Sequence, residues 1–453
     1  MALPGAWDIC ISGEKTLTDI ASSAVSAAPH QGEDDIHHVS ASDIAVGVVI
    51  GRTSEFFDFF VYAIASVIVF PKILFPHLDP VEGTLWSFFL FALAFVARPI
   101  GTAFFLALDR RHGRVAKLTG ALLLLGTSTV AMGLIPTYAS AGIWAAVALG
   151  VLRIGQGMAL GGSWDGLSSL LALSAPKNRR GFFTMVPQMG APIGLLVASL
   201  LYAYLVYSLT EEDFLSWGWR YPFFVAFAIN VVALFARLRI VATQEYIDAF
   251  TSSELQPTPL VETFKANVRP MILGAYIPLA TFAMFHMVSV FAMSWVFLYT
   301  NEVTANYLLL EAAGAVVGLI AVVMSGYLAD RLGRRRLLLW AAIAIAIFAV
   351  VAPVLLSAGK GGEAIYLLVG FAILGISFGQ SSGAVATLFE KGYRYTASAV
   401  VSDFAWLFGA GLAPLTGLLL THWFGLPAAG LYLLSGSICT LIALWLSARL
   451  MQN

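Results

Sequence analysis

The sequence predicts an all-α membrane protein with twelve transmembrane helices in two pseudo-symmetric six-helix bundles. Three observations indicate this fold: 59% of the 453 residues are hydrophobic, twelve apolar stretches can each cross a bilayer, and the basic residues cluster in alternate breaks between them. The mean hydropathy is +0.85, and only 11% of the residues are charged. This composition excludes a soluble enzyme, a disordered chain and a nucleic-acid-binding protein.

The apolar stretches run continuously, without the alternation of barrel strands, so they are predicted to be helices. One crossing needs about 20 residues, and the polar breaks between the stretches carry Gly, Pro or charge. In chain order the stretches are 44–70, 84–108, 116–136, 142–170, 183–208, 219–240, 271–299, 305–329, 337–357, 363–389, 397–420 and 427–450.

Two polar segments divide the chain. Residues 1–43 lack the apolar core of a secretory signal, so we expect a flexible cytoplasmic tail. The segment 241–270 is predicted to be a cytoplasmic linker, because it is the longest later interruption and separates the spans six and six. The predicted bundles are therefore 44–240 and 271–453.

The basic residues are distributed unevenly between the two sides of the predicted helices. Nineteen of the 25 Lys and Arg residues lie in or at the border of the tail, the even-numbered breaks or the C-terminus, with Lys117 and Arg237 counted among them, and three lie in or at the border of odd-numbered breaks. The last three, Arg52, Arg98 and Arg153, lie deep within spans. Loops rich in Lys and Arg remain in the cytoplasm. We therefore expect a multi-pass protein of the cell inner membrane with both termini cytoplasmic.

The two halves share a motif between their second and third helices. The first copy is Asp109-Arg110-Arg111-His112-Gly113-Arg114, and the second is Asp330-Arg331-Leu332-Gly333-Arg334. In both, an acid and several bases surround a glycine turn and can pair across adjacent helix ends. The repetition indicates an internal duplication.

This motif resembles the loop signature of the major facilitator superfamily, Gly-x-x-x-Asp-Arg-x-Gly-Arg-Arg/Lys, which the second copy matches from Gly326 onward. Further motifs are similar to those of its metabolite:proton symporter branch, bacterial carriers of organic acids and of zwitterions such as proline and betaine. These motifs are Gly51-x-x-x-Glu55-Phe56-Phe57-Asp58-Phe59-Phe60, Arg98-Pro99-Ile100-Gly101, Arg153-x-x-Gln156-Gly157, Gly161-Gly162 and Arg180-Gly181 with Gln188-x-Gly190.

The resemblance implies alternating access and a gating charge relay at the two loops, formed by Asp109, Arg110, Arg114, Asp330, Arg331 and Arg334. The chain also departs from that branch, which usually has Asn in place of Arg52. The branch has Glu where Ser163 stands, so the acid of helix 4 is displaced to Asp165. A divergent subgroup is implied, and the substrate does not follow from the resemblance.

Ionisable residues within the spans are costly, so they are expected to face the bundle interior and to be paired or functional. Helix 1 carries Arg52, Glu55 and Asp58 at spacings of three, near one helical face. Arg52 can neutralise Glu55, which leaves Asp58 as the carboxyl that exchanges a proton, with Glu55 assisting. The alternative is a structural ion network. Asp403 in helix 11 is a third coupling candidate.

A buried arginine is suited to hold a carboxylate substrate. Arg153 lies mid-way along helix 4 with Gln156 one turn away, and its forked donors match a carboxylate. The alternative is a permanent salt bridge to helix 1. Arg98 is assigned to gating, and Glu311 is interpreted as a gate or structural residue. The candidate substrate-binding residues are Arg52, Arg153, Gln156, Gln188, His286 and Gln380.

The sequence contains no phosphate-binding loop, Cys/His metal cluster or serine nucleophile elbow, so we predict neither ATP-driven transport nor an enzyme, and no cofactor or metal. The prediction is a monomeric, proton-coupled symporter of a small organic anion, a carboxylate, with the substrate, protons and lipid as its partners. The alternatives are a symporter of a zwitterionic osmolyte, a uniporter or exchanger and, more remotely, a metabolite sensor.

Overall fold

The computed structural model describes residues 41–163, 171, 175–241, 256–300 and 302–448, and this part of the chain is almost entirely helical. Most of the predicted tail, half of the predicted linker and Asp165 lie outside the described residues. Ten described helices are long and apolar enough to cross a membrane. One of them, Pro80–Met132, is 53 residues long and contains two crossings.

The helix Ala41–Ile68 completes the predicted twelve, although charged side chains interrupt its apolar run. The membrane-crossing helices are numbered α1 Ala41–Ile68, α2 80–112, α3 114–132, α4 Ile143–Gly162, α5 Arg180–Ser208, α6 Tyr221–Val241, α7 Leu279–Tyr299, α8 Thr304–Leu332, α9 Arg334–Ser357, α10 Lys360–Ala386, α11 Gly392–Phe424 and α12 Leu426–Leu446. Shorter helices are Phe70–Leu74, Tyr138–Ala141, Glu211–Ser216 and Leu260–Tyr276, of which the last precedes α7.

Two glycines reverse the chain at equivalent places in the halves. Gly113 has a φ of 81° between α2 and α3, and Gly333 has a φ of 84° between α8 and α9. This backbone region is open mainly to glycine. The two loop motifs therefore form the expected tight turns, and we call the end of the bundle where they lie the signature end.

Glycines bring several helix pairs into backbone contact. A Cβ atom on Gly157 would collide with the backbone of Ala94 in α2, and one on Gly194 with the backbone of α1 at Phe57. In lipid the hydrophobic effect does not drive helices together, because the lipid tails are as apolar as the helix surfaces. Close packing of this kind therefore contributes much of their association. The small-residue spacings of α4, α5, α8 and α10 thus permit close contacts between helices.

Three crossing helices depart from α geometry near their middle. α5 contains a tight 3₁₀ turn at Val186–Met189, whereas α7 and α11 contain wide π turns at Met287–Phe291 and Trp406–Gly411. Irregular backbone at membrane depth is tolerated where protein surrounds it, and wide turns often mark functional sites. Gln188, His286 and Trp406 lie in or beside these turns.

The outer surface of the crossing helices is apolar. In α9, Trp340, Ile347, Val350 and Val354 are each more than half exposed, whereas the opposite face of that helix is buried. Exposed apolar side chains of this extent would be unfavourable in water and suit a lipid environment. The fold is therefore that of a multi-pass membrane protein.

We expect Gly157→Ala to destabilise the fold, because the added methyl group meets the α2 backbone. The expected loss of unfolding free energy is about 1–3 kcal/mol, the usual cost of overpacking. The control is Gly120→Ala in α3, where a Cβ would make an ordinary contact with Phe105. Thermal unfolding of the purified protein in detergent should show a lower midpoint for Gly157→Ala alone, and equal midpoints would contradict the packing argument.

Candidate functional site

Glu55 of α1 is held between two guanidinium groups. Arg52 Nη1 donates to Glu55 Oε2 at 2.6 Å, which is the ion pair that the sequence predicts. Arg237 Nη2 of α6 lies 2.6 Å from Glu55 Oε1. Because Glu55 and Arg237 are almost fully buried, this network fastens α1 to α6 inside the first half.

Arg237 shows where sequence reasoning failed. It was counted among the basic residues of a polar break, because it stands at the end of an apolar run. In the structure it belongs to α6 and is only 2% exposed. Lys117 was placed in a break in the same way, and it is a buried residue of α3.

Asp58 has a different environment from Glu55. Its Oδ2 atom accepts hydrogen bonds from Asn230 Nδ2 of α6 at 2.5 Å and from Thr129 Oγ1 of α3 at 3.1 Å. Its Oδ1 atom has no hydrogen-bond partner among the described residues, and no described base forms a salt bridge with it. Ser54 in turn donates to Asn230 Oδ1 at 2.6 Å. Asp58 is thus a buried carboxyl surrounded by neutral donors.

Arg153 of α4 is fully buried beside this carboxyl. Its guanidinium lies 3.8 Å from the centre of the Tyr62 ring and donates to the carbonyl oxygen of Phe91 at 2.8 Å. It also donates to the side-chain oxygen of Gln156. The described residues form no salt bridge between Arg153 and α1, so the alternative of a permanent ion pair with that helix has no support in the described part.

A chain of hydrogen bonds joins Arg153 to Asp58. Arg153 donates to Gln156, Gln156 Nε2 donates to Thr129 Oγ1 at 3.0 Å, and Thr129 donates to Asp58. Every bond points its hydrogen toward the carboxylate, so the chain is polarised in one direction. The sequence did not single out Thr129 or Asn230. Asn230 was detectable as the one amide within an otherwise apolar span.

A cleft opens between the two halves next to these groups. It is lined by residues of α1, α2 and α4 from the first half and by one residue of α11 from the second half. The lining residues are Arg52, Glu55, Phe56, Phe59, Phe95, Arg98, Leu160, Ser163 and Trp406. The cleft therefore combines guanidinium groups with aromatic rings, and a small charged or amphipathic molecule is the ligand that this chemistry suits.

An ion pair spans the two halves at this cleft. Arg98 Nε of α2 donates to Asp403 Oδ1 of α11 at 2.7 Å, and Thr102 donates to the other carboxylate oxygen. The Asp403 side chain is 2% exposed, and that of Arg98 is 12% exposed. Because both groups have largely left water, separating them is costly. The pair ties α2 of the first half to α11 of the second.

His286 of α7 lies among aromatic rings. Its ring stacks on Phe59 with centroids 5.0 Å apart and planes 5° apart. Nδ1 donates to the carbonyl oxygen of Ala410 at 2.6 Å, since a carbonyl can only accept. Nε2 has no hydrogen-bond partner in the described part of the chain. His286 is thus fully buried among aromatic rings, with one ring nitrogen bonded and the other without a described partner.

Three further candidates, Gln188 of α5, Gln380 of α10 and Glu311 of α8, are not among the residues that line the cleft. Gln188 Nε2 donates to Ser382 Oγ of α10 at 2.8 Å, which is a contact between halves. Gln380, which was expected to bind substrate, instead donates to the Gly181 carbonyl at 3.0 Å and accepts from Arg334. The register of α10 turns position 380 toward α5 and α9 at the signature end. Glu311 is fully buried in α8 and accepts from Ser199 of α5 at 3.1 Å.

The first loop motif makes a contact between halves at the signature end. Asp109 Oδ2 lies 2.9 Å from Arg114 Nε and 3.8 Å from Lys117 Nζ. Lys117 donates to the Tyr395 hydroxyl of α11 at 2.7 Å, and the Arg114 guanidinium lies over the Tyr395 ring. Arg110, in contrast, is exposed and reaches the backbone of Thr258 at 3.4 Å.

The second loop motif contacts the start of α5. Asp330 accepts from the backbone nitrogens of Gly181 at 2.6 Å and Phe182 at 3.1 Å, and thereby caps that helix. Arg334 donates to Thr184 Oγ1 and to the Gly383 carbonyl, each at 2.9 Å. Arg331 is exposed. Six loop residues make up the predicted relay. Two of them, Arg110 and Arg331, take no part in the contacts that the described residues form between the halves.

Comparisons with known proteins agree with this architecture. The family model described as Major Facilitator Superfamily matches residues 53–414. An inner membrane metabolite transport protein of Escherichia coli K12, YhjE, is 38% identical, and the match covers 90% of this chain and 94% of that protein. The shikimate transporter of the same organism is 28% identical over 92% of this chain and 96% of its own length. The proline/betaine transporter of Escherichia coli K12 is 28% identical, and the match covers 81% of this chain and 75% of that protein.

The crystal structure of a D-xylose-proton symporter has the same fold. Its TM-score is 0.69 at 17% sequence identity, and the match covers 88% of this chain and 97% of the other. The chain is therefore a membrane transporter and not an enzyme, and it belongs to the major facilitator superfamily.

Proposed function

We propose that this chain is a proton-coupled symporter of a small organic anion, a carboxylate, that works by alternating access. The observation that carries the proposal is the polarised chain from Arg153 to Asp58. It links a buried base, which forms no salt bridge with described residues, to a buried carboxyl that has no described base beside it. Among the described residues, Arg153 has no anion beside it and Asp58 has no cation. A transported anion would supply the first with a partner, and a transported proton would neutralise the second.

Asp58 is the proposed proton carrier. A carboxyl removed from water and given no cation favours its neutral form. When it binds a proton, the hydrogen-bond chain loses its anionic end, and the positive charge of Arg153 is less compensated. An anionic substrate then binds more favourably, so the proton and the substrate enter together.

Glu55 and Asp403 take part in the proposed coupling by exchange of partners. Both are already paired with guanidinium groups that line the cleft, Arg52 and Arg98 respectively. A substrate carboxylate that binds either arginine would replace the internal carboxylate and release it. Substrate binding would then weaken the cross-half pair of Arg98 and Asp403, which provides a route from binding to movement.

In this proposal the bundles at 44–240 and 271–453 rock about the cleft, and the linker 241–270 and both termini are cytoplasmic. The signature end is closed by contacts between the halves, at Lys117 with Tyr395 and at Asp330 with the start of α5. The distribution of basic residues supports a cytoplasmic position for this end. The metabolite-transport relative of the inner membrane supports that location. In this proposal the carrier acts as a monomer.

A zwitterionic osmolyte is the second candidate substrate. The aromatic rings around the cleft can hold a quaternary ammonium group, and a proline/betaine transporter is among the relatives. A uniporter or exchanger would use the same cleft without a proton. These possibilities differ in a measurable way, because only symport acidifies the vesicle lumen when substrate is added.

We expect Asp58→Asn to abolish substrate-driven proton entry and to leave substrate binding detectable. The measurement uses proteoliposomes with an internal pH dye, challenged with mono-, di- and tricarboxylates and then with betaine and proline. Protein-free liposomes correct for passive entry of the free acids. The initial rate of acidification should fall at least about tenfold in the variant, because its amide cannot carry the proton.

The matched control for Asp58→Asn is Glu211→Gln. The Lys72 ammonium donates to Glu211 at 2.6 Å and holds the pKa of that exposed carboxyl below its usual range, so it stays ionised at neutral pH. Its removal should leave the acidification rate unchanged. If the Asp58→Asn variant acidified the lumen at the wild-type rate, the role of Asp58 would be refuted. If only betaine or proline caused acidification, the proposed substrate would be an osmolyte.

We expect Asp403→Asn to loosen the contact between halves. Removing one partner of a buried ion pair costs about 3–5 kcal/mol, so the cleft should open more often. A Ser163→Cys reporter on the cleft wall should then react with a water-soluble maleimide at least about fivefold faster. The swapped pair Arg98→Asp with Asp403→Arg should return the rate toward that of the parent. Lys72→Gln, which breaks an exposed pair, serves as control, and equal rates in all variants would contradict the gating role.

A further inference from the structure

Five aromatic rings form a wall at the cleft, one from α1 and four from the second half. Phe56 and Trp406 line the cleft itself. The Phe56 ring lies 6.0 Å from those of Phe285 and Phe378, and the Phe282 ring lies 4.3 Å from that of Trp406. We call these residues the aromatic wall. A substrate that occupies the cleft contacts this wall with the part of the molecule that faces away from the arginines.

A second cavity lies directly behind the aromatic wall. Phe285 and Phe378 belong to its lining and contact Phe56 of the cleft, so these rings separate the two cavities. The only side chain with a hydroxyl in its lining is Ser289, which donates to the Phe285 carbonyl at 2.7 Å. The other lining residues are Phe60, Ala191, Pro192, Leu195, Gly318, Val322, Phe371, Leu374 and Gly375. This cavity is apolar on every side that the structure describes.

Apart from His286 Nε2, which has no described partner, the polar side chains of the second half near the wall are already engaged with the protein. Thr281, Ser377 and Ser381 hydrogen bond to one another. Ser382 accepts from Gln188. A substrate rich in hydroxyl groups would therefore leave several of them unpaired here. Each such group lowers affinity by roughly ten- to a hundredfold.

The ring faces are also already supplied with cations. The Arg52 guanidinium lies 5.0 Å from the centre of the Phe56 ring, and that of Arg98 lies 5.8 Å from the centre of the Trp406 ring. An ammonium group from a substrate would compete with these two guanidinium groups for the same ring faces. No carboxylate lines the apolar cavity to balance it. The wall therefore suits an uncharged body better than an onium group.

We propose that the substrate is a monocarboxylate with an apolar ring or branched aliphatic body, which rests on the symport of an organic anion proposed above. The carboxylate binds the guanidinium groups of the first half. The apolar body lies against the aromatic wall and takes the place of the Phe285 and Phe378 rings, which turn aside into the apolar cavity. Polyhydroxylated ring acids, dicarboxylates and betaines are disfavoured, because they carry several polar groups to a surface that offers few partners.

The test is binding of a panel to the purified protein, read as ligand-induced stabilisation against heat over a concentration series. The probes are phenylacetate, isovalerate, propionate, shikimate, succinate and betaine. Phenylacetate and isovalerate should bind at least about tenfold more tightly than shikimate and succinate. Binding avoids the passive permeation that complicates uptake of apolar acids.

One variant tests this placement of the apolar body. Leu374→Phe fills space in the cavity into which the two rings turn, so phenylacetate binding should weaken at least about tenfold while propionate binding is retained. Retained propionate binding shows that the variant is folded. Leu309→Phe makes the same change at a half-exposed position of α8 and should leave both affinities unchanged.

The possible outcomes separate this inference from the proposed function. The inference is supported if the parent protein binds apolar monocarboxylates most tightly and the Leu374→Phe variant loses its affinity for phenylacetate. Shikimate or succinate binding as tightly as phenylacetate overturns it and leaves organic-anion symport standing. Equal phenylacetate affinity in Leu374→Phe overturns the placement of the body. Binding of betaine alone, or of no carboxylate, overturns both the anion proposal and the inference that rests on it.

Discussion

The first half of the molecule depends on the compensation of charge in an interior that water does not reach. Glu55 is fixed by Arg52 and Arg237, which join α1 to α6. Isolated charges in such an interior would cost several kcal/mol each. The same constraint gives Asp58 its distinct character, because only neutral donors, Asn230 and Thr129, reach it. Two carboxyls one turn apart on one helix are thereby given different chemistry.

The helix contacts that hold this arrangement combine rigidity with local irregularity. Glycines let α4 lie against α2 and α5 against α1 at backbone distance, so the buried side chains are held in fixed register. The tight turn of α5 and the wide turns of α7 and α11 interrupt this regularity at the depth of the cleft. Backbone hydrogen bonding departs from the α-helical pattern at these turns, and such departures often mark functional sites.

The contacts between the halves are unequal in kind. At the signature end they are charged or polar, as at Lys117 with Tyr395 and Asp330 with Gly181. At the cleft they are an ion pair, Arg98 with Asp403, and stacked rings around His286. Polar contacts exchange readily with water when an interface opens, whereas apolar ring contacts re-form without a strict orientation. This combination suits an interface that must separate and close repeatedly.

The sequence by itself determined the features that depend on local pattern. Continuous apolar runs predicted the twelve helices, the repeated Asp-Arg…Gly-Arg motif predicted the paired turns at Gly113 and Gly333, and the three-residue spacing predicted the Arg52–Glu55 pair. Only the tertiary structure decided which distant side chains meet. It brought Arg237 to Glu55, Asn230 and Thr129 to Asp58, and Arg98 to Asp403, and it turned Gln380 away from the cleft. Helix periodicity shows which residues share a face, but the partner of that face depends on how helices far apart in the chain pack together.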